Sequence, residues 1–173
     1  MQRCAWVSSD PLYIEYHDTE WGKPITGEDA LFERISLEGF QAGLSWLTIL
    51  KRREGFREAF LGFAIGKVAE MSEKDVERLL LKEGIIRHRG KIQAVINNAR
   101  IIKEQNISLE ELIRKHSPTA DRRNLSVSPE STALSKELRK LGFNFVGPTT
   151  MHAMMQAIGV IQDHEDLCEF RKI

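Results

Sequence analysis

Three observations predict an all-α fold. Apolar residues recur at helical spacing, and Ile92, Val95, Ile96, Ala99 and Ile102 form the longest such run. Helix-start signals stand in front of several of these runs. No strand-like alternation persists anywhere in the 173 residues, a length that suits one domain spanning 1–173 with a sizeable core.

The elements follow in chain order. The first 25 residues show no sustained periodicity and read as an irregular segment carrying Trp6, Tyr13, Tyr16, His17 and Trp21. Thr26-Gly27-Glu28-Asp29 resembles a capping box and opens a helix over Leu31, Phe32 and Ile35. Trp46, Leu47, Ile49 and Leu50 continue a second helical pattern, and the cations Lys51-Arg52-Arg53 suit its C-terminus. Ser72 and Asp75 form another capping box, followed by Val76, Leu79 and Leu80, with Gly84 as the stop. The long helix through Ile92 to Ile102 follows, then a shorter one capped by Ser108 and Glu111. Residues 117–128 read as a loop, and Ser128-Pro129 as an N-cap with proline in first position. Leu134, Leu138 and Leu141 share one face, and Met151, Met154, Met155 and Ile158 make a last apolar stripe.

Composition sets the class. Hydrophobic residues at 42% and charged residues at 29% fit a soluble globular protein. No run of about 18 apolar residues is present, so no membrane span is expected. The N-terminal residues lack the apolar centre of a signal peptide, so a cytoplasmic protein is expected. Its two cysteines are then thiols or metal ligands in preference to a disulfide. The zero net charge hides a division: residues 1–50 carry three Lys/Arg against eight Asp/Glu, whereas residues 51–103 carry 13 against seven. Lys51-Arg52-Arg53 and Arg87-His88-Arg89-Gly90-Lys91 are the densest basic clusters, either solvated faces or contacts for a phosphate backbone.

Four features can carry chemistry. The stretch Leu37-Glu38-Gly39-Phe40-Gln41-Ala42-Gly43-Leu44-Ser45-Trp46 sets a carboxylate among glycines and aromatics. It reads as a pocket lip or as an amphipathic helix with a glycine-rich entry. On one unbroken helix Glu38 and Trp46 would lie roughly 80° out of register. Cys4 and His17 near one end, with His164 and Cys168 near the other, form a donor set suited to one structural zinc ion that clips the termini. Two buried cysteines with two surface histidines is the alternative. Between two helical patterns, Lys140 to Thr150 hold a short turn whose two glycines flank apolar residues and which leads into a helix N-terminus, an arrangement that offers backbone N–H groups to a phosphate. Finally, Trp6, Tyr13, Tyr16, Trp21 and Trp46 supply faces for stacking a flat, cationic base, or serve as core.

These blocks together resemble the 3-methyladenine DNA glycosylase I family, of the helix-hairpin-helix glycosylase superfamily. The blocks that carry the resemblance are Arg3 to Val7, Asp10 to Asp18, Glu20 to Gly22, Leu37 to Trp46, Gly84 to Lys91 and Phe145 to Thr149. Residues 104–130 match less well. The resemblance implies two helical lobes with the pocket between them, and a monofunctional hydrolase, without lyase activity, excising 3-methyladenine from alkylated double-stranded DNA. It implies one structural zinc ion on Cys4, His17, His164 and Cys168. Glu38 would contact the extruded base and is the candidate catalytic residue. Tyr16 and Trp46 would wall it, with Trp6, Tyr13 and Trp21 in support. Gln41, Gly43 and Leu44 would face DNA beside the pocket, and Arg87, Arg89, Lys91, Gly147 and Thr149 would meet the backbone. Asp163 is expected to be structural, and a monomer without a protein partner is expected. Two other classes stay open: a DNA-binding module without catalysis, and a zinc-clipped helical interaction protein.

Overall fold

The computed structural model describes residues 1–171, which form helices and connecting turns with no strand among them. The all-α expectation is met. Ten α-helices follow in order: α1 (Pro11–Thr19), α2 (Glu28–Gln41), α3 (Trp46–Leu50), α4 (Arg53–Ala59), α5 (Ile65–Val68), α6 (Glu73–Leu80), α7 (Arg89–Gln105), α8 (Leu109–Lys115), α9 (Pro129–Leu141) and α10 (Pro148–Ala157). A single 3-10 turn, Leu61–Phe63, lies between α4 and α5.

Local chemistry accounts for most boundaries. Ser72 and Asp75 form a reciprocal box at α6, Ser108 caps α8 through the amide of Glu111, and Ser128 caps α9 with Pro129 in first position. Three expectations are corrected. Residues 11–19 are helical because the Asp10 side chain accepts from the Leu12 amide and Pro11 has the backbone angle of a first helical residue. Thr26 does not cap α2; Gly27 does, without a side-chain bond. The Glu28 carboxylate turns instead to α8 and accepts from Ser108 and the amides of Leu109 and Glu110. Arg53 opens α4 and does not close the preceding helix, which ends at Leu50.

Helix α2 is the organising element. It packs against α3, α5, α7, α8 and α10, and nine of its 14 residues, from Leu31 to Phe40, are buried. One continuous core runs from Tyr16 through a phenylalanine cluster (Phe32, Phe40, Phe56, Phe60, Phe63) to Met151, Met154 and Met155 on α10. Helices α5 and α7 and the 3-10 turn pack on α2, with α6 against α7 and α4 against the turn; α10 packs on α2 and on α9. No helix among the described residues is long and apolar enough to cross a membrane.

Candidate functional site

The beginning of the chain, α1, the end of α2, the start of α3 and the end of α10 converge on one cavity of about 120 Å³. It is lined by Trp6, Tyr13, Tyr16, Trp21, Glu38, Gln41, Trp46, Ala153, Gln156 and Ala157. All six residues expected at a base pocket therefore stand together. A break in the helix resolves the register problem between Glu38 and Trp46. Helix α2 ends at Gln41, and Gly43 takes φ +80°, a left-handed angle that a side chain disfavours. Ser45 then caps α3 and returns Trp46 to the same cavity as Glu38. Gly39 stays helical and serves another purpose. A Cβ there would stand 3.3 Å from both the Cβ and the carbonyl oxygen of Phe145, so its bareness lets α2 approach the α9–α10 turn.

Glu38 is 4% exposed and has no hydrogen-bond partner among the described residues. Burial pushes its carboxyl up to about 7, against the opposing pull of the nearby Arg34 cation. Arg34, four residues earlier on α2 and 8% exposed, donates from Nη1 to the Tyr16 hydroxyl at 3.1 Å. Its guanidinium carbon lies 5.1 Å from the Trp46 ring centroid and 5.5 Å from that of Tyr16. Burial raises the Tyr16 phenol above its ordinary range, so the hydroxyl keeps its proton. The Trp46 indole N–H is buried without an acceptor. Arg34 escaped the sequence reading, although its i, i+4 spacing to Glu38 was visible.

A groove beside the cavity joins Glu38 to Gln41, Ala42, Gly43, Leu44, Thr149, Thr150 and Ala153. Leu44 is exposed at its edge. Gly147 is the N-cap of α10, and α9 and α10 are joined by residues 142–147, with Phe145 at φ +56°. Asn98 on α7 holds this turn at both ends of one residue: it accepts from the Asn144 amide at 2.9 Å and donates to the Asn144 carbonyl at 3.1 Å. Of the basic cluster, Arg87 is exposed, while Arg89 pairs with Glu73 and Glu77 at 2.6 Å each. Lys91 departs from expectation. Its ammonium is buried and donates to the carbonyls of Phe40 (2.9 Å) and Ala42 (2.7 Å), so it fastens the C-terminus of α2 and does not lie along a surface. Asp163 lies outside the cavity lining, and its oxygens accept from the Asn124 amide and the Gln156 side chain.

Cys4, His17, His164 and Cys168 are all buried, and their donor atoms lie within 4.8 Å of one another. Such a set can hold a metal ion. Bonds of about 2.3 Å to sulfur and about 2.05 Å to nitrogen, at tetrahedral angles, imply a sulfur–nitrogen edge of about 3.6 Å. The observed Sγ–N separations are 3.5 Å (Cys4–His164), 3.5 Å (Cys168–His17) and 3.4 Å (Cys168–His164). His17 turns Nε2 to the sulfur because its Nδ1 sits 2.8 Å from Asp18, whose carboxylate is in turn held by Arg3. Without a cation, burial pushes the Cys4 thiol up to about 12, so a thiolate there needs one. The cluster also supports the cavity. Trp6 and Trp21 pack on His17 at 5.3 and 6.1 Å between centroids, and Trp21 packs on His164 at 4.6 Å.

A helical chain whose aromatic cavity is lined by a buried carboxylate, with an arginine behind its wall, has the makings of an enzyme for a flat, polar ligand. Comparison with known proteins gives the family. The methyladenine glycosylase family model matches residues 6–172, and the chain belongs to this family. It is 52% identical to DNA-3-methyladenine glycosylase 1 of Escherichia coli K12, over 95% of this chain and 94% of that protein. The crystal structure of a 3-methyladenine DNA glycosylase I superposes with TM-score 0.92 at 47% identity, covering 97% of this chain and 98% of the other. A tyrosine-to-phenylalanine variant of a 3-methyladenine DNA glycosylase I, solved in complex with 3-methyladenine, has TM-score 0.90 at 34% identity, covering 100% and 99%.

Proposed function

We propose that the protein is a DNA-3-methyladenine glycosylase of base excision repair, acting in the cytoplasm on alkylated double-stranded DNA as a monomer. Buried Glu38 facing aromatic rings carries this reading. The target nucleotide leaves the stack and its base enters the cavity. Methylation at N3 leaves the purine formally cationic while it is still bound to the sugar. Aromatic faces and a carboxylate are the groups that favour such a ring. The C1′–N9 bond then breaks, its electron pair goes to the base and cancels the charge, and water oxygen bonds C1′ with loss of a proton. Glu38 recognises the base, Tyr16 and Trp46 wall it, and Trp6, Tyr13 and Trp21 complete the enclosure.

The lining residues named above include no lysine, which supports hydrolysis without lyase chemistry, since a Schiff base needs an amine at C1′. Residues 142–147 and the start of α10 form a hairpin in the helix-hairpin-helix manner. Gly147 and Thr149 present a helix N-terminus to phosphate, and Gln41, Gly43 and Leu44 fill the gap left by the base. Arg87 and Arg89 stand next to this turn, with His88 edge-on to Phe145 at 6.2 Å. Cys4, His17, His164 and Cys168 would hold one zinc ion that clips the termini, a structural role with no part in the hydrolysis. The test is release of free 3-methyladenine from methylated duplex DNA by the folded, zinc-loaded protein. Absence of release sinks the reading.

A further inference from the structure

Within the site, one buried cation has no part in the scheme above. Arg34 lies behind the cavity wall, and its Nη1 donates to the Tyr16 hydroxyl. We propose that Arg34 is a positioning residue that fixes the hydrogen-bond polarity of the pocket, making Tyr16 a donor and Glu38 an acceptor toward the base. The proposal rests on the glycosylase reading and extends it to base selection.

The argument starts from donor and acceptor counts. A guanidinium has only donors, and a phenol has one donor hydrogen and oxygen lone pairs. Arg34 therefore takes a lone pair of Tyr16 and cannot accept its hydrogen. No other partner for this hydroxyl exists among the described residues, and Tyr16 lines the cavity. Its hydrogen is left for whatever occupies that space. Arg34 stays charged at any working pH, and its positive charge favours the ionised form of Glu38, four residues on along the same helix. Glu38 likewise meets no donor among the described residues and shares the cavity.

The pair thus offers one donor and one acceptor on neighbouring walls. The edge that complements it has an acceptor next to a donor, as in the N7 and exocyclic amino group of adenine. Guanine presents two acceptors there, N7 and O6, and its O6 would face the Glu38 carboxylate. Selection of methylated adenine over methylated guanine then depends on a residue that itself stays off the base.

The test compares wild type with Arg34→Met, Arg34→Gln, Tyr16→Phe and the Arg34→Met/Tyr16→Phe pair. Each is checked for folding by circular dichroism. Two quantities are measured: affinity for free 3-methyladenine by calorimetry, and the ratio of 3-methyladenine to 3-methylguanine released from methylated DNA. Arg34→Met should weaken base affinity at least tenfold, and the double variant should bind no worse than about threefold below the weaker single variant. Arg34→Gln can accept from Tyr16 and so frees the polarity. It should narrow the adenine-to-guanine ratio at least tenfold, and it carries the test if Arg34→Met does not fold. An unchanged ratio in a folded Arg34 variant, or losses that multiply in the double variant, would overturn the proposal. Failure of wild type to bind or release any methylated purine would instead remove the glycosylase reading.

Discussion

Replacing Glu38 by glutamine should stabilise the protein at alkaline pH, and the size of the effect follows from the site. Glutamine is close in shape to the protonated acid, so the variant reports what ionisation of Glu38 costs the fold. The carboxyl titrates near 4.5 in the unfolded chain and is raised to about 7 in the fold by burial, with Arg34 opposing. A raised carboxyl binds more protons folded than unfolded, so stability is fully present below about 4.5 and is lost as pH rises through about 7. Each pKa unit is worth about 1.4 kcal/mol, which makes the cost at pH 8 about 3 kcal/mol. At roughly 2–4 °C per kcal/mol for a domain of this size, Glu38→Gln should melt roughly 6–12 °C above wild type at pH 8. Near pH 4.5 the two should nearly coincide. The measurement is thermal melting by circular dichroism from pH 4.5 to 8.5, alongside base release. Release should fall in the variant even as stability rises, because the negative charge is gone and an amide N–H2 competes with the one remaining acceptor oxygen. A melting difference that does not change with pH would refute the burial argument.

Two further outcomes follow. Lys91→Met leaves the carbonyls of Phe40 and Ala42 without their donor, a loss of about 2 kcal/mol. It should lower melting temperature and cleavage of duplex DNA while sparing affinity for free 3-methyladenine; an equal loss in both would mean that Lys91 acts on the pocket itself. Cys168→Ser should reduce bound zinc and melting temperature together, and weaken base binding because Trp6 and Trp21 rest on the two histidines. Unchanged metal stoichiometry would remove the zinc assignment.

Much of the fold was legible wherever a boundary is written in local chemistry. Ser72, Ser108 and Ser128-Pro129 cap their helices with side chains that the sequence displays, and α7 is long enough for its period to show. Residues 53–71 were not legible. They hold helices of seven and four residues around a 3-10 turn with Leu61, Gly62 and Phe63 all at positive φ. Segments that short show no period, and their shape is imposed by burial of Phe56, Phe60 and Phe63. Thr26 failed as a cap because Asp29, the acid meant to complete its box, accepts instead from the amide of Ile65 at the start of α5. At the site, aromatics and carboxylate were visible by type, but their convergence needed the break at Gly43. Lys91 shows the limit most clearly: a lysine in a basic cluster reads as surface, and only tertiary contact reveals an ammonium turned inward onto a helix end.

Helix α2 explains why the site is built where stability suffers. Leu31, Phe32, Ile35, Leu37 and Phe40 bury its apolar faces, so the helix cannot shift without disturbing the core. Arg34, Glu38 and Gln41 follow one another at spacings of four and three, which keeps them on a single stripe. That stripe carries two charges into a low-dielectric interior, at a cost the raised Glu38 titration records. The same rigidity keeps the carboxylate from swinging out to water or closing directly onto Arg34, since no hydrogen bond joins the two. On the proposed reading, an unpaired acceptor held still among aromatic rings gains most when a cationic ring arrives. The fold would then hold in its ground state an electrostatic demand that the proposed substrate satisfies.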